Sequence, residues 1–434
     1  MNRYIIVPGC SDLNRGDQAL AWETKRAAED SGFIGDYSIL CEENEPVAQT
    51  EKHGIKVLRP ILEHPSRYFK NKENLEYTTL LKIKWGIAGI FDFIRSVFLL
   101  YPFTRFIGFC FLNKESQRSF IEFKNANAIF MKGGGLIQTY GGLSSTYSAY
   151  FWTYHLRLAQ HLNIPVYILP NSFGPFEGPF VKPIVRNILK KSEVVTARET
   201  ISKDVINAQL GIDVNVYPDL AFYLKKNDFL TKEVVCKRYC LPSSKQLVAI
   251  TVRPYRFPDS QNPQLAYQNY IQSIVVFSTW LFQHDYIPVF IVHTLAVNAH
   301  ENDEACIQEI TKHLQKNTYC AISDPNLNCQ DLKAIYAACD FTVGTRFHSV
   351  IFSLSEYTPS IAIAYVGNKT QGIMHDIGLD DYVLSIQNIS SERLISIFKS
   401  LTKNKDSVLK KVRTYLSHTL AERNRLCNEL AGKI

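Results

Sequence analysis

Short continuous apolar runs alternate along this chain with longer segments of helical periodicity, the pattern of parallel sheets whose strands are buried on both faces. Strands are expected at 4–7, 37–41, 128–131, 166–169, 194–197 and 214–217, with helices over 17–31, 147–161, the residues after Pro183, and 201–210. A polar, lysine-rich stretch at 225–245 then separates this series from a second one. In the second, strands at 247–252, 288–293, 319–322, 340–343 and 360–365 alternate with helices over 267–283, 301–315, 331–338 and 349–356. This alternation predicts an α/β protein of two doubly wound, Rossmann-like domains, 1–224 and 246–400, facing a cleft. Helices fill 401–434, of which 423–430 are placed to pack back across the domain junction.

One segment breaks the alternation. Between about 42 and 124 lies an insertion whose part from about 60 to 115 is helical and aromatic, with Phe91, Phe93, Phe98, Phe103, Phe106, Phe109 and Phe111 crowded into 80–112. Asp92, Arg95, Pro102 and Arg105 interrupt the run, so no stretch reaches the roughly 18–20 uncharged residues of a membrane span. Surface helices routinely bury such faces, so core packing is the expectation. The alternative is an interfacial hairpin resting on an anionic bilayer, for which Lys82, Lys84 and Lys114 supply basic flanks.

A chain of 434 residues, 46% hydrophobic and 21% charged, is long enough for two cores. The net charge of +7, from 48 basic and 41 acidic residues without a dense basic run, suits anionic small molecules or a membrane surface and argues against nucleic acid. Ten scattered cysteines form no C-x-x-C pair, and Cys236 with Cys240 lacks the second half of a zinc site, so reduced thiols are expected. His155, His161, His293, His300 and His375 are isolated, no metal site is legible, and His300 with Glu301, Asp303 and Glu304 reads as a solvated helix start. The opening residues lead into a strand rather than a signal peptide, which implies a cytoplasmic protein.

The chemistry concentrates in Gly344-Thr345-Arg346-Phe347-His348, at the turn between a strand and the following helix. Ligands of open α/β sheets bind at such carboxyl ends, where the amides opening the helix favour negative charge. Arg346 offers a planar, permanently charged fork for carboxylate or phosphate, and His348 titrates near neutral pH and can pass a proton. Against this stands a structural alternative in which Arg346 pairs with a carboxylate and His348 is a satisfied core imidazole. Arg253 ends the first strand of the second domain and should project from the same edge, and Lys369 follows the last strand there. In the first domain, Gly133, Gly134 and Gly135 follow a strand as a turn or a close approach to ligand, while Asn14 and Asp17 sit after the first strand, Asp17 capping the next helix.

Together these segments resemble the polysaccharide pyruvyl transferase family over nearly the whole chain. The likeness rests on Asn14-Arg15-Gly16-Asp17-Gln18-Ala19-Leu20, Gly133-Gly134-Gly135, Ser172-Phe173-Gly174-Pro175, Ala197-Arg198-Glu199 with Ser202, Tyr217-Pro218-Asp219-Leu220-Ala221-Phe222, and Gly344 to His348 followed by Pro359 and Tyr365 to Lys369. It implies a GT-B-like fold and transfer of the enolpyruvyl carbons of phosphoenolpyruvate to sugar hydroxyls as a ketal, in bacterial exopolysaccharide or cell-surface glycan synthesis. By that resemblance His348 is the proton donor, Arg253 and Arg346, with Lys369, bind the donor's phosphate and carboxylate, and Asp17, Glu199 and Asp219 are candidate bases. No metal or organic cofactor is required. The implied acceptor is a sugar; the insertion, longer than the motif pattern requires, would fit a lipid-linked oligosaccharide carried on polyprenyl diphosphate, with the aromatic stretch in peripheral contact with the inner face of the cytoplasmic membrane. Two other classes compete. A GT-B glycosyltransferase using a nucleotide sugar fits the two domains and the glycines, whereas a non-catalytic glycan-binding relative would lose the charged turn that this chain keeps.

Overall fold

The computed structural model describes residues 2–42, 45–65, 78–142, 144–295, 301–365 and 367–433. The first sheet contains β1 (Arg3–Val7), β2 (Asp36–Leu40), β3 (Ile55–Leu58), β4 (Ala128–Met131), β5 (Gly134–Tyr140), β6 (Val166–Glu177), β7 (Val194–Ala197) and β8 (Asn215–Val216). Their order is β3-β2-β1-β4-β6-β7-β8, with β5 beside the far half of β6. The second sheet holds β9 (Gln246–Thr251), β10 (Tyr286–Ile291), β11 (Cys320–Ile322), β12 (Phe341–Gly344), β13 (Ser360–Ala364) and β14 (Val383–Ser385), ordered β11-β10-β9-β12-β13-β14. All these pairings are parallel. In each lobe the chain winds outward from a central strand and then returns to its other side. The order therefore reverses between β1 and β4 and between β9 and β12, and a ligand crevice forms at such a reversal.

The glycine segment is not the loop expected. The chain continues from β4 through Lys132 and Gly133 into β5, and none of Gly133, Gly134 and Gly135 has a positive φ. What two of them provide is room for the protein itself. A Cβ on Gly133 would lie 3.0 Å from the Pro170 carbonyl oxygen and 3.1 Å from Leu20 Cδ2, and one on Gly135 would lie 3.2 Å from Arg198 Nη2.

The helix Arg15–Asp30 leaves β1 and joins the lobes. Arg15 is buried and donates from Nε to the Leu327 carbonyl and from Nη2 to the Asp324 carbonyl, 3.1 Å each. Gln18 accepts from the Cys329 amide at 2.8 Å. The final helix, Lys405–Ala431, returns to the first lobe: Arg423 pairs with Asp30, and Glu429 accepts from Tyr217 and Asn215. One apolar cluster consequently runs from Tyr4 and Leu20 through Val248 to Leu430. Residues 225–245 carry a short helix, Lys232–Arg238, and lie against the second lobe through Lys226–Glu356 and Asn227–Asp331 contacts.

Two expectations need correction. Asp303, read as part of a solvated helix start, is fully buried, because the helix begins there (Asp303–Thr311) and Arg346 gives its carboxylate a partner; His300 lies outside the described residues. The aromatic insertion forms helices Thr79–Leu100 and Arg105–Cys110, and only part of its apolar surface enters a core: Leu99, Leu100 and Leu112 do, with Val97 and Phe109 packed against that core, while the stripe nearer the start of the first helix does not. Leu80, Ile83, Ile87, Ile90, Phe91 and Ile94 are exposed, whereas Asp92 and Ser96 are buried. The polar face turns inward because it finds partners there: Ser96 Oγ lies 2.8 Å from Tyr150 Oη, and Asp92 pairs with Arg95 at 3.2 Å. No described helix is long and apolar enough to cross a membrane.

Candidate active site

At the strand-order reversals the sequence-predicted segments meet: Asn14 and Asp17 beyond β1, Lys132 and Gly133 beyond β4, Arg253 beyond β9, and Thr345 to His348 beyond β12. Tyr365 and Lys369 follow β13, and Arg198 and Glu199 follow β7. The lobes touch here directly, since Asn14 bridges Thr294 and the Leu295 amide donates to the Leu13 carbonyl at 2.9 Å.

His348 stands in the first turn of the helix Phe347–Ser355, with its ring against the first lobe at Gly16. Its Nε2 is buried without a hydrogen-bond partner, so it is not the satisfied core imidazole of the structural alternative. Burial pushes its pKa down to about 4, helped by Arg198 and Lys369 and opposed by Asp219 and Asp17. Without ligand the imidazole is therefore neutral at neutral pH, and an anion that compensates Lys369 would raise its proton affinity.

For Arg346 the structural alternative does describe the contacts. Its Nε and Nη2 meet Asp303 Oδ1 at 2.8 and 2.7 Å, and Nη2 also donates to the Glu301 carbonyl at 2.9 Å. Asp303 is fixed in turn by the amides of His293 and Thr294. Nη1 makes no hydrogen bond among the described residues, so the fork is oriented by its pairing and retains one free edge.

Arg253 differs. It has no carboxylate partner among the described residues, its Nε is buried and unpartnered, and its guanidinium carbon lies 4.3 Å from the centre of the Tyr365 ring. Lys369 opens the helix Lys369–Ile377 and donates to Tyr365 Oη at 3.0 Å. Burial would raise the Tyr365 pKa, but Lys369, Arg253 and Arg346 outweigh it and hold the phenol down to about 7. Tyr365 was not singled out from sequence as a site residue, although it closes a strand at the same edge as Arg346.

The three candidate bases sit in different surroundings. Asp17 accepts from Lys132 Nζ at 2.7 Å and Asn14 Nδ2 at 2.8 Å, keeps 38% of its side chain exposed, and lines a cavity of about 240 Å3 with Asn14, Phe151, Trp152, His155 and Glu301. Burial works to raise its pKa, but Lys132 overcomes this and holds it below the usual carboxylate range. Glu199 and Asp219 are completely buried. Glu199 accepts from Ser172 and Ser202 beside Arg198, and Asp219 accepts from Arg198 Nη1 at 2.6 Å and the Ala221 amide at 2.8 Å. Burial raises the Glu199 pKa. Arg198 and Lys132, the cations that organise these carboxylates, were missed as site residues; each adjoins a residue that was named.

The profile of the polysaccharide pyruvyl transferase family matches residues 14–368, which include all of these segments except Lys369. The amylovoran biosynthesis protein AmsJ of Erwinia amylovora is 23% identical over 296 residues, 67% of this chain and 68% of that protein. Among solved structures, a glycosyltransferase from Rickettsia africae superposes with a TM-score of 0.53 at 12% identity, covering 99% of this chain and 98% of its own. The glycosyltransferase SnogD from Streptomyces nogalater gives 0.52 at 10% identity, covering all of both chains. At such identities these structures define the fold, which is GT-B-like, with two parallel-sheet lobes. With the family profile spanning both lobes and the crevice between them, the chain belongs to the polysaccharide pyruvyl transferase family.

Proposed function

We propose that the protein moves the pyruvyl group of phosphoenolpyruvate onto two hydroxyls of a sugar as a ketal, in the synthesis of an exopolysaccharide or cell-surface glycan. The observation that carries this reading is the cationic group of Arg253, Arg346 and Lys369 around Tyr365, on the lobe edge that also bears His348. Arg253 lacks an anion among the described residues, and a compact ligand with phosphate and carboxylate supplies two.

In this reaction the donor dianion offsets the charge of Lys369 and raises the proton affinity of His348. The imidazolium then protonates the methylene carbon of the enol, and the cationic carbon that results is attacked by one sugar hydroxyl, which releases its proton to a base. Asp17 has the exposure that this role needs; Asp219 and Arg198 shape the field at His348, and Glu199 pairs with Arg198. Attack by the second hydroxyl, whose proton passes to the now neutral imidazole of His348, expels phosphate and closes the ketal. The acceptor is a sugar or a lipid-linked oligosaccharide that occupies the cavity beside Asp17.

Incubation with phosphoenolpyruvate and a panel of glycans tests the reading: phosphate should be released in proportion to a pyruvyl mass gain on one acceptor. Thermal stabilisation by phosphoenolpyruvate and not by nucleoside diphosphates is also expected. The reverse result would assign a nucleotide-sugar glycosyltransferase instead.

A further inference from the structure

We infer that the hairpin of Thr79–Leu100 and Arg105–Cys110 is a docking element that lies in the surface of an anionic lipid bilayer. The helix Thr79–Leu100 is amphipathic in the inverted sense. Positions 80, 83, 87, 90, 91 and 94 make one helical stripe, and all are large and apolar. They point away from the protein, Ile87 being 66% and Ile90 65% exposed, while Asp92 and Ser96 on the opposite face are 1% exposed. A helix that buries its carboxylate and offers its isoleucines outward is matched to an apolar exterior. The second helix extends the same surface: Phe103 in the connection is 98% exposed, and Phe106, Ile107 and Phe111 project with it.

The charges select the occupant. Between 79 and 114 the exposed charged residues are Lys82, Lys84 and Lys114, all basic. A second copy pairing along this stripe would meet no exposed carboxylate between 79 and 114 to offset these lysines, whereas anionic headgroups attract them. The apolar side chains, set beside these lysines, give the composition of a helix that rests in the interface without spanning it.

The hairpin also adjoins the cavity. The helix Ser144–His161 meets Thr79–Leu100 through Tyr150 and Tyr154, which reach Ser96, and on another face it lines the cavity with Phe151, Trp152 and His155. His64 contacts both Trp85 of the hairpin and Phe151 of the cavity wall. A lipid-seated hairpin thus sets the cavity one helix away from the bilayer, where a sugar still attached to its lipid carrier can enter. This identity of the acceptor rests on the pyruvyl-transfer reading; the docking does not.

Flotation of the full chain with phosphatidylglycerol-rich vesicles, with no phosphoenolpyruvate present, is the test. The wild type should float, as should a control Ile34→Asp, exposed elsewhere on the first lobe. The pairs Ile87→Asp/Ile90→Asp and Phe103→Asp/Phe106→Asp should each lower partitioning at least about tenfold while melting like wild type, since each loses bilayer-buried apolar side chains. Weaker binding to phosphatidylcholine vesicles and at high salt is expected. Wild type that fails to float overturns the inference. So does a dimer in sedimentation that Ile87→Asp/Ile90→Asp dissociates, because the stripe would then be a seam between copies. A wild type that floats but shows no pyruvyl transfer would instead sink the reaction reading and leave the docking standing.

Discussion

Gly16 and His348 meet across the lobe junction so closely that a Cβ on Gly16 would lie 2.3 Å from the imidazole Nδ1. The ring is thus held by the other lobe's first helix, and its unpartnered Nε2 is the edge left for chemistry. Gly16→Ala must displace it. If His348 is the proton donor, turnover should fall toward that of His348→Gln, a loss of about 10² to 10⁴, while phosphoenolpyruvate binding measured by calorimetry stays close to wild type. Full activity in Gly16→Ala would show that the ring position does not matter.

Arg346 and Arg253 should respond differently to substitution although both are proposed to hold the donor. Asp303→Ala strands the Arg346 guanidinium in a buried site, a loss of about 3–5 kcal/mol, which urea denaturation would show as a lowered midpoint. Arg253→Gln has no such partner to strand and should leave the midpoint near wild type while weakening phosphoenolpyruvate binding. Equal stability losses in the two variants would contradict this division.

Tyr365 should ionise near pH 7, visible as phenolate absorbance present in wild type and missing from Tyr365→Phe. Its folded pKa lies below the usual value of about 10, so the stability it contributes is complete above about pH 10 and is lost as pH falls through 7. The phenolate competes with a bound anion for Lys369 and Arg253. Donor affinity should accordingly decrease as pH rises through 7, and Tyr365→Phe should flatten that dependence.

His348, with its pKa depressed to about 4, makes the fold sensitive to acid. An unfolded histidine titrates near 6.5, so the unfolded chain binds more protons between the two values. Stability is whole above about pH 6.5 and falls as pH drops toward 4, by roughly 3 kcal/mol for a group shifted this far. His53 is also held at about 4, by burial first and Lys25 second, and adds to the slope. His348→Gln, which cannot take up the proton, should show a shallower loss of melting temperature on acidification.

Much of the scaffold was legible because its signals are local. The apolar runs at β1, β4, β9 and β12 are buried on both faces and are announced by their own residues, so the chain itself located the strand ends that carry Asp17, Arg253, Arg346 and His348. Strand β5 was missed because three glycines read as a turn or a loop approaching a ligand, whereas Gly133 and Gly135 keep the backbone clear of Leu20 and Arg198, neighbours far away in sequence. Lys132, Arg198 and Tyr365 were passed over for a similar reason: a lysine, an arginine and a tyrosine become informative only when their partners are known.

The sequence by itself determined the two-lobed α/β architecture and the edge at which the reactive side chains gather, since strand and helix periods depend on neighbours along the chain. Tertiary structure alone decided that Arg346 is engaged by Asp303, that His348 is pressed against Gly16, that Tyr365 sits among cations, and that the hairpin turns its isoleucines outward. Each of these depends on burial and on charges brought together from distant segments, and the free energy of a charge or an apolar surface is set by the medium that folding places around it.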